Sequence, residues 1–174
     1  VIAAVVFPVY YSNVIVGNQG GGGDLWWGRA ISLSMIIVAL SSPFLGGIAD
    51  YAGKRKRFLF IYTYLCILSV AAFSLLAKGM VIQGFLMIVL ANIGLEGGLV
   101  FYNAFLPEIA PQDHQGRVSS WGFGTGYAGS ILSLLIAIPL VKGGYFSLTW
   151  LTVSGLFAIF SIPAFLFLPQ DRKT

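Results

Sequence analysis

Apolar residues run almost without interruption through six stretches of this chain, at residues 1–16, 28–49, 58–77, 80–106, 121–141 and 146–168. A helix rises about 1.5 Å per residue, so it crosses a hydrocarbon layer of about 30 Å in about twenty residues. Lipid offers no partner to a backbone N–H or C=O, so only helices and closed barrels can span it. Barrel strands alternate apolar and polar residues over about ten positions, and these stretches do not alternate. The expected fold is all-α: a membrane protein whose residues 1–174 form a single bundle of six transmembrane helices. The first stretch is short for a span and opens inside an apolar run, which leads us to expect a fragment of a longer chain. The fourth is long, which calls for tilt or for extension beyond the bilayer.

Charge supports a lipid environment. Lys and Arg number 10 and Asp and Glu 6, so charged residues make up 9% of the chain, against about a quarter in soluble domains. The net charge of +4 does not point to nucleic acid, because Lys54, Arg55, Lys56 and Arg57 sit together in one turn where membrane topology accounts for them. Cys66 is the one cysteine, lies mid-span and has no intrachain partner. His114 is the one histidine, so no His-based metal site can form, and no cofactor is expected. The spans hold no Ser/His pair, no His cluster and no paired Asp, so an enzyme is not expected. Nothing resembles the carbonyl filter or charge ring of a channel.

The connections are short. Residues 17–27 are Gly-rich, with Trp26 and Trp27 placed as an interfacial anchor. Residues 50–57 form the basic turn, residues 107–120 the longest polar loop, and residues 169–174 a polar tail. Tight reversals fall at 78–79 and 142–145. Alternate loops lie on opposite sides. One side carries Lys54, Arg55, Lys56, Arg57, Arg117, Arg172 and Lys173, and the other Arg29, Lys78 and Lys142. The positive-inside rule puts the first group, and with it the amino-terminal end, in the cytoplasm.

The turn between the second and third stretches has its own logic. Gly46 and Asp50 are four apart and share a helix face. Gly46 would let a neighbouring helix come close. Asp50 is a carboxylate at the membrane edge, costly unless paired with a cation or with the positive end of a helix. Gly53 permits a sharp reversal, and Lys54 and Arg55 follow at once. A plain topology-setting loop would need the cations but not the spaced Gly and Asp.

This spacing resembles the loop signature of the major facilitator superfamily, Gly-x-x-x-Asp-x-x-Gly followed by two basic residues, matched here by Gly46, Asp50, Gly53, Lys54 and Arg55. Pro107-Glu108 followed by Gly116-Arg117 resembles the loop that the superfamily carries between spans four and five. More narrowly, Phe7-Pro8-Val9-Tyr10-Tyr11, the stretch Phe101-Tyr102-Asn103-Ala104-Phe105-Leu106-Pro107, and Gly116-Arg117-Val118-Ser119-Ser120-Trp121-Gly122 are similar to the vacuole-effluxer-like branch. That branch is known for yeast vacuolar amino-acid exporters and many bacterial relatives.

The resemblance covers nearly the whole chain. It implies a secondary active transporter that moves a small solute, with amino acids among the candidates, by alternating access in a bacterial plasma membrane. It implies twelve spans in two six-helix bundles, of which this chain supplies the amino-terminal one. The partners implied are the bilayer, a small-molecule solute with or without protons, and a second six-helix bundle. That bundle is a missing half, a second copy or another chain. Gly46, Asp50, Gly53, Lys54, Arg55, Glu108 and Arg117 would form the gating loop, with Asp50 meeting a helix of the second bundle in the outward-facing state. The superfamily's common Arg motif in span four is absent, so coupling schemes built on it do not carry over.

Span four holds a polar stripe. At about 100° per residue Asn92, Glu96 and Asn103 point within about 40° of one another. Gly94, Gly97 and Gly98 leave space beside them. A carboxylate at this depth costs a few kcal/mol on insertion scales, about 3, unless paired, solvated or neutral. Either the stripe faces a cavity and binds a cationic group or a proton, or Glu96 hydrogen-bonds between helices with no transport role.

Tyr10 and Asn13 in span one are further candidates for the solute or proton site. Tyr11 and Ser12 lie between them, and four consecutive residues cannot all face one cavity. Tyr62 and Tyr64 are expected to pack. Two small-residue stripes on span five, Gly122/Gly126/Ser130 and Thr125/Gly129/Ser133, suit close helix crossing, either as static packing or as a sliding surface. Pro43 and Pro139 are candidate kinks. The competing function is a non-transporting membrane scaffold or assembly subunit that retains the transporter fold.

Overall fold

The structure, a computed structural model, describes residues 2–17 and 19–171, with the side chains of residues 2–5 and 19 left aside. Arg172 and Lys173, which contribute to the expected orientation, lie outside the described residues.

The described chain is helical. Helix α1 (Ile2–Tyr10) runs into a π-helical segment, Tyr11–Val16. Then come α2 (Gly22–Ala52), α3 (Arg55–Ala72), α4 (Val81–Ala104), a single turn α5 (Leu106–Ile109), α6 (Gln115–Lys142) and α7 (Phe146–Phe167). Five helical stretches are long and apolar enough to cross a membrane, and Val6–Val16 is a shorter apolar helix. The six expected spans thus become five of full length and one short one. Pro8 lies in the short helix, where the missing N–H and the ring disturb regular α-bonding just before the π-helical segment.

Two connections are more ordered than the sequence suggests. The Gly-rich segment 17–27 is a linker only up to Gly21, because α2 starts at Gly22 and already contains Trp26 and Trp27. These two indoles pack against the main core. Most of the basic turn is helix as well: α2 runs on to Ala52 and α3 starts at Arg55. Residues 107–120 hold α5 and the first turn and a half of α6. The apolar pattern ends where lipid ends, but a helix needs no lipid to continue and stops only at a breaking residue. Pro43 and Pro139 sit inside α2 and α6, which run through them.

Helix α3 packs most extensively on α4, α4 in turn on α2, and α3 on α7. Glycines set the α3–α4 approach. A Cβ on Gly94 would lie 2.6 Å from the Cys66 amide nitrogen, and one on Gly97 would strike the Tyr62 ring. Small residues permit such backbone contact, which is the main route to tight packing in lipid.

The core has two parts. Near the 78–79 turn, Phe7 stacks on Phe73 at 3.8 Å and meets Trp150 edge-on at 4.9 Å. Near the basic turn, Phe101 stacks on Phe58 and Tyr62 at 5.2 and 5.5 Å, beside buried Ala49, Leu59 and Phe105. Tyr64 leans on Phe60 and Phe165.

Helix α6 is the least embedded and buries only Ala137 among its residues. Two glycines of its small-residue stripes make no close helix crossing here: a Cβ on Gly126 or Gly129 would meet nothing within 4 Å.

Candidate functional site

The basic turn is built by a left-handed residue. Gly53 adopts φ 59° and ψ 37°. This lets the Lys54 N–H reach the Ala49 carbonyl at 2.9 Å and the Gly53 N–H reach the Asp50 carbonyl at 3.2 Å, the pair of hydrogen bonds that closes a helix around a left-handed cap. The reversal delivers Arg55 to the first position of α3, facing the end of α2.

Arg55 gathers three elements. Its Nε donates to Asp50 Oδ1 and its Nη1 to Glu108 Oε1. Nη1 also lies 3.4 Å from the Ala104 carbonyl at the end of α4, where the helix dipole favours a cation. Together these bonds join α2, α3, the end of α4 and α5 at one end of the bundle. The Asp50 hydrogen bond is the largest influence holding the guanidinium firmly protonated.

Of the seven residues of the expected gating loop, the structure brings Asp50, Arg55 and Glu108 into contact and uses Gly53 for the turn. Lys54 is exposed. Arg117 is exposed and has no hydrogen bond or ion pair among the described residues. Gly46 does not serve close approach here, since a Cβ there would meet nothing within 4 Å.

A second tie at this end was not anticipated from the residues. The Lys56 N–H donates to Asp171 Oδ1 at 2.9 Å, Lys56 Nζ donates to the Leu168 carbonyl at 2.8 Å, and Arg57 lies 3.5 Å from Asp171. These bonds pin the segment after α7 to the start of α3. Asp171 is the one acid of that tail, the only signal available from the sequence.

The polar stripe of α4 diverges. Asn92 Nδ2 donates to Ser34 Oγ on α2 at 2.6 Å. Glu96, one turn on, is half-buried and makes no hydrogen bond or ion pair among the described residues. Asn103 is exposed and lines a groove of about 640 Å³ between α4 and α6. Tyr102, Leu106 and Ile109 form its near wall, and Gly122, Phe123, Tyr127 and Ser130 its far wall. The Tyr102 hydroxyl would lie 3.7 Å from a Cβ on Gly122. Ser34 was not singled out in the sequence, where nothing sets it apart from Ser32, Ser41 and Ser42 in the same apolar helix.

The span-one candidates separate too. Tyr10 is buried in the aromatic core against Phe146 and Trp150, with its hydroxyl 3.5 Å from the Leu76 carbonyl. Tyr11 donates to the Val81 carbonyl at 2.8 Å. Asn13 is exposed. His114 lies 2.9 Å from exposed Asp113, and no metal-holding group of His, Cys, Asp or Glu occurs among the described residues.

A family profile described as vacuole effluxer Atg22 like matches residues 29–174. The MFS-type transporter YxiO of Bacillus subtilis is 32% identical over 81% of this chain and 33% of its own length. The multidrug resistance protein MdtG of Salmonella paratyphi A is 30% identical over 95% of this chain and 41% of its own length. MdtG of a Rahnella strain is 28% identical over a similar share. The chain therefore spans about two-fifths or less of these relatives. No solved structure matches it. The apolar helices and these relatives make it a multi-pass membrane protein belonging to the vacuole effluxer Atg22-like family within the major facilitator superfamily.

Proposed function

We propose that this chain forms one six-helix bundle of a secondary active transporter that moves a small solute by alternating access, with the basic end in the cytoplasm. The observation that carries the proposal is the double use of residues 102–109. Tyr102, Asn103, Leu106 and Ile109 wall the α4–α6 groove. The Ala104 carbonyl and Glu108 are at the same time acceptors of Arg55. A shift of α6 against α4 that opens or closes the groove therefore acts on the Arg55 clamp, and release of the clamp acts on the groove. Such linkage between a solute path and a set of ion pairs is what a two-state carrier needs.

Glu96, with Asn92 and Asn103 above and below it, is the proposed site for a cationic group or a proton. The second bundle would dock on the Thr125/Gly129/Ser133 face of α6, where a Cβ on Gly129 meets nothing within 4 Å. Amino acids are the first solutes to test, from the resemblance to yeast vacuolar amino-acid exporters. Apolar drug-like solutes are the second, from the printed name of the MdtG relatives, multidrug resistance protein, and the apolar groove walls.

The test is counterflow in liposomes reconstituted with the intact protein. Exchange of at least one solute class is expected. Glu96→Gln should lower it at least tenfold. Asp50→Asn should change the rate while leaving solute affinity within a few-fold. Wild-type protein that exchanges none of these solutes and purifies with another membrane complex would instead be a scaffold.

A further inference from the structure

A second cavity, of about 620 Å³, lies on a different face of the bundle, where α3 begins and the chain leaves α7. Its lining changes character along its depth. Lys56, Arg57, Gln170 and Asp171 surround the polar end, and Phe60, Ile61 and Phe165 the apolar end. The Phe60 and Phe165 rings stand 5.2 Å apart. Phe60 and Ile61 are 46% and 60% exposed, so the apolar end opens to whatever surrounds the helices, which in a membrane is lipid.

The charge at the polar end is not balanced. Asp171 takes the Lys56 backbone amide and stands 3.5 Å from Arg57, whose side chain remains 72% exposed. One carboxylate thus faces two cations, Lys56 and Arg57, in a groove whose other end is aromatic and aliphatic.

We infer that this groove binds one anionic phospholipid, with the phosphate on Arg57 and Lys56 and an acyl chain laid along Phe60, Ile61 and Phe165. A free anion would gain from the cations but would leave the apolar end unfilled. A zwitterionic lipid would fill the apolar end but bring its own cation to a positive site. Only an anionic amphiphile satisfies both ends.

The experiment is native mass spectrometry of the intact protein in detergent with equimolar phosphatidylglycerol and phosphatidylcholine. One phosphatidylglycerol should be retained in preference to phosphatidylcholine. Arg57→Gln should lower that retention about fivefold, the effect of one cation near an anionic lipid, while Arg117→Gln leaves it unchanged. Asp171→Asn keeps an oxygen for the Lys56 amide, removes the competing charge, and should raise retention about as much. A misfolded variant would not produce that rise. Equal retention of both lipids, no lipid at all, an equal loss in Arg117→Gln, no rise in Asp171→Asn, or displacement by millimolar inorganic phosphate would each overturn the assignment.

Discussion

Arg55 donates to Glu108 across 53 residues of sequence, and the same guanidinium holds Asp50 five residues before it. One side chain thereby ties four helical elements at the basic end. Its groups are partly exposed: 29% for Arg55, 54% for Asp50 and 42% for Glu108. Exposed ion pairs are worth about 0.2–1 kcal/mol each, so the clamp is weak enough to open and close. A double-mutant cycle of Arg55→Gln with Glu108→Gln, read by reversible unfolding in mixed micelles, should give a coupling of about 0.5 kcal/mol that shrinks in high salt. Strictly additive effects would show that the pair contributes nothing.

Gly53 should resist substitution in a graded way. A β-carbon at φ 59° costs about 1–2 kcal/mol, and Asn tolerates that region better than Ala. Gly53→Ala should lower stability by about 1 kcal/mol or more, and Gly53→Asn by less. The order of thermal midpoints, wild type above Asn above Ala, checks this. Equal midpoints would mean that the turn rearranges freely.

The α3–α4 crossing predicts a contrast between two glycines. A methyl on Gly94 meets Cys66 and Tyr62 backbone at 2.6–2.9 Å, which only a helix shift relieves. Gly94→Ala should cost about 1–3 kcal/mol, the usual range for overpacking. Gly97→Ala meets the Tyr62 ring instead and should cost less, because a side chain can turn aside. Unfolding free energies that rank the two the other way would contradict this crossing geometry.

Asn92 on α4 and Ser34 on α2 share a side-chain to side-chain hydrogen bond of 2.6 Å. Interhelical hydrogen bonds in lipid average about 0.6 kcal/mol and reach about 1.7. A cycle of Asn92→Leu with Ser34→Ala should return a coupling in that range. A coupling near zero would place the Asn92 amide with another partner in the bilayer.

Local features were legible in the chain itself. Long apolar runs had to become helices, because the bilayer leaves the backbone no other way to satisfy its polar groups. The Gly53 reversal was visible from a glycine following Asp50-Tyr51-Ala52 and preceding two cations. The expected packing roles of Tyr62 and Tyr64 match their aromatic contacts. Helix ends were less legible. The first turns of α2 and α6 carry glycine and polar residues, and a hydropathy pattern registers lipid contact rather than hydrogen bonding.

The candidate site was legible in outline and not in its pairings. Periodicity put Asn92, Glu96 and Asn103 on one face of α4, yet neighbours change along a helix, and the face meets α2 at Asn92 and the α6 groove at Asn103. Tyr10 read as a polar span-one residue, but its ring went to the aromatic core because burying that area outweighs exposing one hydroxyl. Asp171 could not be matched to Lys56 and Arg57, since 115 residues separate it from Lys56 and no local rule joins them.

Hydropathy, helix rise and glycine, all read within a few residues of each other, were enough to make the chain helical, to place it in lipid and to mark the reversal at Gly53. Tertiary structure alone decided which carboxylates Arg55 holds, which helix Asn92 binds, and which glycines touch a neighbour. Those depend on how rods cross in space, and the crossing is set by the summed contacts of residues far apart in the chain.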